Sequence, residues 1–131
     1  DMLALARFLL LPSDDLSLAC ILKSPLCSLS EQNILTLSYA RENSLWENLQ
    51  HTKTFENTYH YLSSLLAELP SSKPYDLFFR VFYRDGYSTK ICAQLGEETR
   101  EILDAFLEKC AEYQQEGPAS LQAFVCWMEQ G

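Results

Sequence analysis

Glycine is scarce in this 131-residue chain: there are four, and none falls into a GxxxxGK[ST] or GxGxxG pattern. A backbone cradle for phosphates is therefore not written in the sequence. Basic residues are also few, ten against eighteen acids, for a formal net charge of −8. A free-standing nucleic-acid binder ordinarily carries a basic footprint, so this balance argues against one, although a local contact within a larger, more basic protein stays open. Long apolar runs are missing. The richest, Met2 to Leu11, is about half the roughly 20 residues of a membrane span and carries Arg7. No signal-peptide pattern stands at the start, so a cytoplasmic location is expected. Paired cysteines are missing too: Cys20, Cys27, Cys92, Cys110 and Cys126 are widely spaced, with no CxxC. An odd count at such spacing points to reduced, mostly buried thiols and not to a zinc site or a disulfide framework.

What is present is apolar and helical. With 47% hydrophobic and 12% aromatic residues, the chain can bury a core without staples. Three- and four-residue periods recur, and no stretch alternates as a strand does. Helices are expected over 1–11, 14–23, from Leu29 or Glu31 to Arg41, a short one after Ser44, then 54–69, 75–84, 97–115 and 120–129, with a weaker segment over 87–95. The corresponding fold is all-α, a single compact array of about eight short helices with short corners over residues 1–131. The expected stripes include Tyr59, Leu62, Leu66 and Leu69, then Leu77, Phe78, Val81 and Phe82. Further on they are Ile102, Leu103, Phe106, Leu107 and Cys110, then Leu121, Phe124, Val125 and Met128.

Punctuation is clear. Ser13 is the expected cap of the second helix, with Asp14 and Asp15 in its first turn. Ser28 with Glu31, and Ser44 with Glu47, stand in capping-box spacing. Pro74 suits a first helical position. The chain opens on Asp1-Met2-Leu3 with the helical period already running and stops at Gly131 just after a helix, as expected of a piece of a longer protein.

Candidate chemistry is thin. His51 lies in a polar corner and His60 between Tyr59 and Tyr61, and neither belongs to a nucleophile–base motif. Asp14-Asp15 reads as first-turn acids before it reads as a metal pair. Glu97, Glu98, Glu101 and Asp104 make a solvated acidic face. Trp46 and Trp127 fit core packing. No catalytic residue, metal site or cofactor is expected in this stretch.

Two places could meet an anion. The densest basic spot is "FFRVFYRDGYSTK", where Arg80 and Arg84 are four apart and Lys90 follows. Its interleaved aromatics look faintly like a nucleic-acid surface, but Phe78, Phe79 and Phe82 fit the core and Asp85 offsets one charge, so a solvated face or interdomain contact is the plainer reading. The other place is the break "KSPLCSLSEQNIL", Lys23 to Leu35. It is a helix corner whose following amides, around Ser28, Leu29 and Ser30, could serve a phosphate.

The order of these pieces resembles a known family. "LALARFLLLPSDDLSLACILKSPLCSLSEQNIL" resembles the stretch that enters the accessory 2B subdomain of UvrD-like superfamily-1 DNA helicases. There a helix leads to an N/P-x-D-D turn, a second helix, an sP-x-x-G-(I/L)-(G/S) corner and a third helix. "SLWENL", "PYDLFFRVFYRDG" and "SLQAFVCWMEQG" look like the same region of AddA-type helicase–nuclease subunits. The resemblance covers nearly the whole chain, and its strength lies in the order of weak motifs.

It implies a regulatory and architectural subdomain, without catalysis of its own, in a bacterial enzyme of double-strand-break repair and recombination. ATP and Mg would be bound by the parent's motor domains, outside this stretch. The implied partners are those motor domains, a nuclease subunit and duplex DNA, with no membrane. The duplex contact would fall on Lys23, Ser24, Ser28, Leu29 and Ser30, with Arg80, Arg84 and Lys90 as a secondary basic patch. This sequence has Cys27 and Ser28 where the family's glycine is expected, and Glu31 soon after, which could occupy the cap and repel a phosphate. The competing expectation is a self-contained helical adaptor that binds only protein. A helical enzyme with an unrecognised site stands behind both.

Overall fold

A computed structural model describes residues 2–39, 43–118 and 120–130. Asp1, Arg41 and the closing Gly131 lie outside the described residues, but the third helix already stops at Ser38, short of its expected end, because Tyr39 takes an extended backbone. Nine α-helices and no strands occur among the described residues, an all-α fold. None of these helices is long and apolar enough to cross a membrane. The chain falls into two units, Asp1–Ala67 and Glu68–Gly131.

In the first unit α1 (Met2–Leu10) is buried on most sides, as its composition demands: Met2, Ala4, Leu5, Ala6, Phe8 and Leu9 are all inaccessible. Pro12 and Ser13 turn the chain, with the Asp14 amide donating to the Leu11 carbonyl at 2.9 Å. That turn places Asp14, not Ser13, at the cap of α2 (Asp15–Lys23). Its carboxylate accepts the Ser17 amide at 3.1 Å and the Ser17 hydroxyl at 2.8 Å. These bonds favour the ionised form and hold the Asp14 carboxyl below its ordinary value.

Helix α2 ends at Lys23, before Pro25, and the chain then forms the corner that leads into α3 (Glu31–Ser38). A short α4 (Leu45–Gln50) follows its Ser44 cap. Here the serine takes the Glu47 amide, while Glu47 meets the serine hydroxyl. A 3-10 turn, Lys53–Phe55, leads into α5 (Glu56–Glu68). Helix α2 contacts α1, α3 and α4, and Trp46 of α4 sits between the rings of Phe8 (5.1 Å) and Tyr59 (4.7 Å). On α5 the fully buried residues are Leu62 and Leu65; the expected Leu66 and Leu69 are half-buried. The inward stripe keeps the expected Leu62 and then follows Leu65 in place of Leu66.

In the second unit, Pro74 opens α6 (Pro74–Phe79), and the Gln114 side chain accepts the free Tyr75 amide at 2.8 Å. Helix α6 continues without a break into one π-helical turn, Arg80–Arg84, closed by the Asp85 amide donating to the Arg80 carbonyl at 2.8 Å. Gly86, at φ +88°, takes the left-handed conformation that releases the chain into α7 (Tyr87–Leu95). The weakly expected segment is thus a regular helix.

Helix α8 (Thr99–Glu116) contacts α6, α7 and α9 (Leu121–Gln130). The core here is aromatic. Phe78 and Phe124 are fully buried and both flank Phe106, at 4.9 and 5.9 Å between ring centres. Leu103, Leu107 and Cys110 face inward as expected, and Tyr113 joins them. Ile102 does not: it is 68% exposed, because α8 turns the Thr99–Leu103–Leu107–Cys110 row toward its neighbours. Met128 of α9 is only half-buried. Cys92 and Cys110 are buried, Cys20 and Cys27 half-buried and Cys126 exposed; none of the five is in a disulfide, and they are not mostly buried. Burial pushes the Cys110 thiol up to about 12.

Candidate functional site

The corner between α2 and α3 is held from within. The Ser24 amide closes α2 on the Cys20 and Ile21 carbonyls, and its hydroxyl donates to Ile21 at 2.6 Å and accepts the Leu26 amide at 3.3 Å. The Cys27 and Ser28 amides both donate to the Ser24 carbonyl, at 3.1 and 2.7 Å, and the Leu29 amide reaches back to Leu22 at 2.8 Å. Leu26 and Leu29 are buried and act as anchors. The capping box is Ser30 with Asn33: each takes the other's backbone amide, at 2.9 and 3.0 Å.

Two sequence expectations are corrected by this geometry. The box is not Ser28 with Glu31, because Ser28 lies outside the helix at φ +58°. Nor are the amides of Ser28, Leu29 and Ser30 open, since each already has a protein acceptor. Lys23 is engaged as well, 3.2 Å from the Glu31 carboxylate. Among the expected contact residues, Ser28, Ser30 and Lys23 are exposed, Ser24 is half-buried and Leu29 is core.

Ser28 adopts the left-handed conformation, which costs an L-residue roughly 1–2 kcal/mol. Its hydroxyl donates to the Pro25 carbonyl at 3.2 Å, a local bond that helps to hold it there. It is the only positive-φ non-glycine among the described residues.

The basic patch divides into two kinds of cation. Arg80 is mostly buried, with its guanidinium paired to Glu68 and, at 3.1 Å through Nε, to Asp85. The expected face shared by Arg80 and Arg84 is therefore absent as a pair of free charges, because the π-helical turn uses Arg80 as a clamp. Arg84 and Lys90 are exposed. Phe79 also departs from expectation. Whereas Phe78 and Phe82 are core, Phe79 is 41% exposed. It stands between Tyr75 (6.0 Å, nearly parallel) and Tyr83 (5.4 Å) in an i, i+4, i+8 row. The Tyr83 hydroxyl donates to Asp104, which together with partial burial raises its pKa. Beside this row is a groove of about 540 Å³ lined by Tyr75, Asp76, Phe79, Arg80 and Arg84.

The other candidates have structural roles. Asp14 caps α2, and Asp15 accepts the Leu45 amide at 2.9 Å and so caps α4 from thirty residues away. That cross-helix cap carries no local sequence signal. No group of acids, histidines and cysteines among the described residues could hold a metal ion. His51 closes α4, and His60 is exposed beside the Tyr59 ring. Glu97 pairs with Arg100 at 3.3 Å on the exposed side of α8, and this pairing raises the Arg100 pKa.

No protein-family model matches this sequence, and no curated protein matches it either.

Proposed function

We propose that this chain is the helical 2B-type accessory subdomain of a UvrD-like, AddA-type DNA helicase–nuclease. Its role is architectural: it rides on the motor, shapes the DNA path and docks a partner nuclease subunit. ATP, Mg and the nuclease chemistry belong to the rest of the parent enzyme, which works in cytoplasmic double-strand-break repair. The observation that carries this reading is the Pro25–Ser30 corner. Ser28 takes a left-handed backbone at the place where the resembled corner has glycine, between helices in the resembled order.

The same corner favours docking over a phosphate contact, since the amides of Ser28, Leu29 and Ser30 are occupied and Lys23 is paired with Glu31. The test is the coding sequence on both sides of the chain. A phosphate-loop motif upstream and a T-x-H-x-x-K-G-like motif soon after Gly131 are expected. Absence of both sinks the reading.

A second reading, a stand-alone helical adaptor that binds only protein, is favoured by the exposed apolar side chains of the first unit. Leu16, Leu35 and Tyr39 are 87%, 62% and 85% exposed. It predicts a chain without motor motifs on either side and with no affinity for DNA at low salt.

A further inference from the structure

We infer that the groove beside Phe79 is a binding site for an unpaired nucleotide, with a nucleobase stacked on the Phe79 ring and its phosphate on Arg84. This site lies in the second unit and goes beyond the helicase reading. It stands or falls whether or not that reading does.

Three observations converge. The first is an aromatic row that the core does not require. The inward face of this helix is complete with Leu77, Phe78, Val81 and Phe82, all nearly or fully inaccessible. Tyr75 and Phe79 stand outside it with ring centres 6.0 Å apart and planes 16° apart, a stacked pair of which Phe79 is the exposed member. The part of the Phe79 ring left in water, 41% of the residue, contributes nothing to apolar burial. Stacking is a use for it that tolerates any base.

The second observation is the π-helical turn, a rare form that is frequent at functional sites. It puts one extra residue into the turn and is clamped at Arg80 by Glu68 and Asp85. The clamp satisfies Arg80. Arg84 remains as the exposed cation on the groove wall, with no acidic partner among the described residues. The third is the shape and chemistry of the groove. Its volume of about 540 Å³ suits a ligand of nucleotide size. It combines a π-face, a cation and the exposed Asp76 carboxylate, which can accept a base amino group. A nucleotide uses all three, whereas an aliphatic peptide side chain uses none of them. With Asp76 opposing Arg84 the groove is nearly neutral, so stacking dominates and single strands are preferred over duplex, whose base faces are already covered.

The test is fluorescence anisotropy of a labelled single-stranded dodecamer and of the same sequence as duplex, titrated with the intact chain. Single strand is expected to bind more tightly than duplex. Phe79→Ala should weaken it about 5- to 150-fold, the range of one lost base stack. Phe79→Leu should lose as much despite keeping apolar bulk, while Phe79→Trp should retain binding. Arg84→Gln should lower the slope of log affinity against log salt by about 0.7, one phosphate on a single strand. Circular dichroism of each variant reports the fold, and the Leu and Trp variants keep the comparison valid if the Ala variant is unstable. No single-strand binding at low salt, a preference for duplex, or Leu serving as well as Phe would overturn the proposal and leave the aromatic row to a protein partner. The helicase reading is tested separately, by the flanking sequence.

Discussion

The corner from Lys23 to Ser30 and the helical turn from Phe79 to Arg84 both looked like places to meet an anion, and they spend their polar groups in opposite ways. The corner turns inward: the amides from Leu26 to Ser30 find acceptors within the chain, and two leucines pin it to the core. The turn settles one arginine by internal pairing and leaves the other, with the Phe79 ring, at the surface. The difference teaches that a helix break is a poor guide to a ligand when Ser and Asn are at hand to cap it. Surface aromatics beyond the needs of the core are a better guide.

The largest effect that sharpens this contrast should come from neighbouring phenylalanines. Phe78→Ala removes a fully buried ring that touches Phe82, Phe106 and Phe124, and should cost about 3–5 kcal/mol in urea unfolding. Phe79→Ala should stay within about 1 kcal/mol, as expected of a surface position. Similar losses at both positions would make Phe79 a core residue and end the contrast.

Next is the clamp. Arg80→Ala strands the carboxylates of Glu68 and Asp85 and should cost roughly 2 kcal/mol. Arg84→Ala should fall within about 0.5 kcal/mol. Equal values for the two arginines would show that the turn does not distinguish them.

A smaller loss, about 1 kcal/mol, is expected for Asp14→Ala, which removes the cap of the helix leading into the corner. Its pH dependence has a definite sign. The folded pKa lies below the ordinary 3.8, so the stabilisation is complete above that value and fades as pH falls through the folded pKa. Urea midpoints for wild type and D14A should therefore converge in acid. A gap that persists below the folded pKa would assign the loss to something other than the ionised cap.

The smallest effect has the opposite direction. Ser28→Gly should stabilise by about 0.5 kcal/mol, because relief of the left-handed backbone outweighs the loss of the hydroxyl bond to Pro25 and the added freedom of glycine in the unfolded chain. A higher denaturation midpoint at unchanged slope would show it. Destabilisation would mean that the Ser28–Pro25 bond, and not the backbone, dominates the corner.

Much of the architecture was legible in the residues. Pro12, Pro25, Pro74, Gly86 and Gly117 break or open helices where their backbone chemistry says they should, and the apolar periods identify helices between them. The candidate sites were less legible. Ser28 and Glu31 have the spacing of a capping box, and so do Ser30 and Asn33; only the route of the chain from Leu22 to Leu29 chooses the second pair. Phe78 and Phe79 are indistinguishable as apolar neighbours, yet one is core and the other a surface ring.

By itself the sequence determined that the chain is all-α, roughly where its helices lie, and that it carries no glycine cradle for phosphate. These are local matters of backbone preference and period, settled within a few residues. Tertiary structure alone decided the phase of each helix: Leu65 inward and not Leu66, Leu103 and not Ile102. Successive helical residues point about 100° apart, and an apolar stripe is about as wide, so only the neighbouring helix selects which of two candidates it covers. The same holds for Asp15, whose carboxylate caps a helix thirty residues away through a proximity that no local pattern encodes.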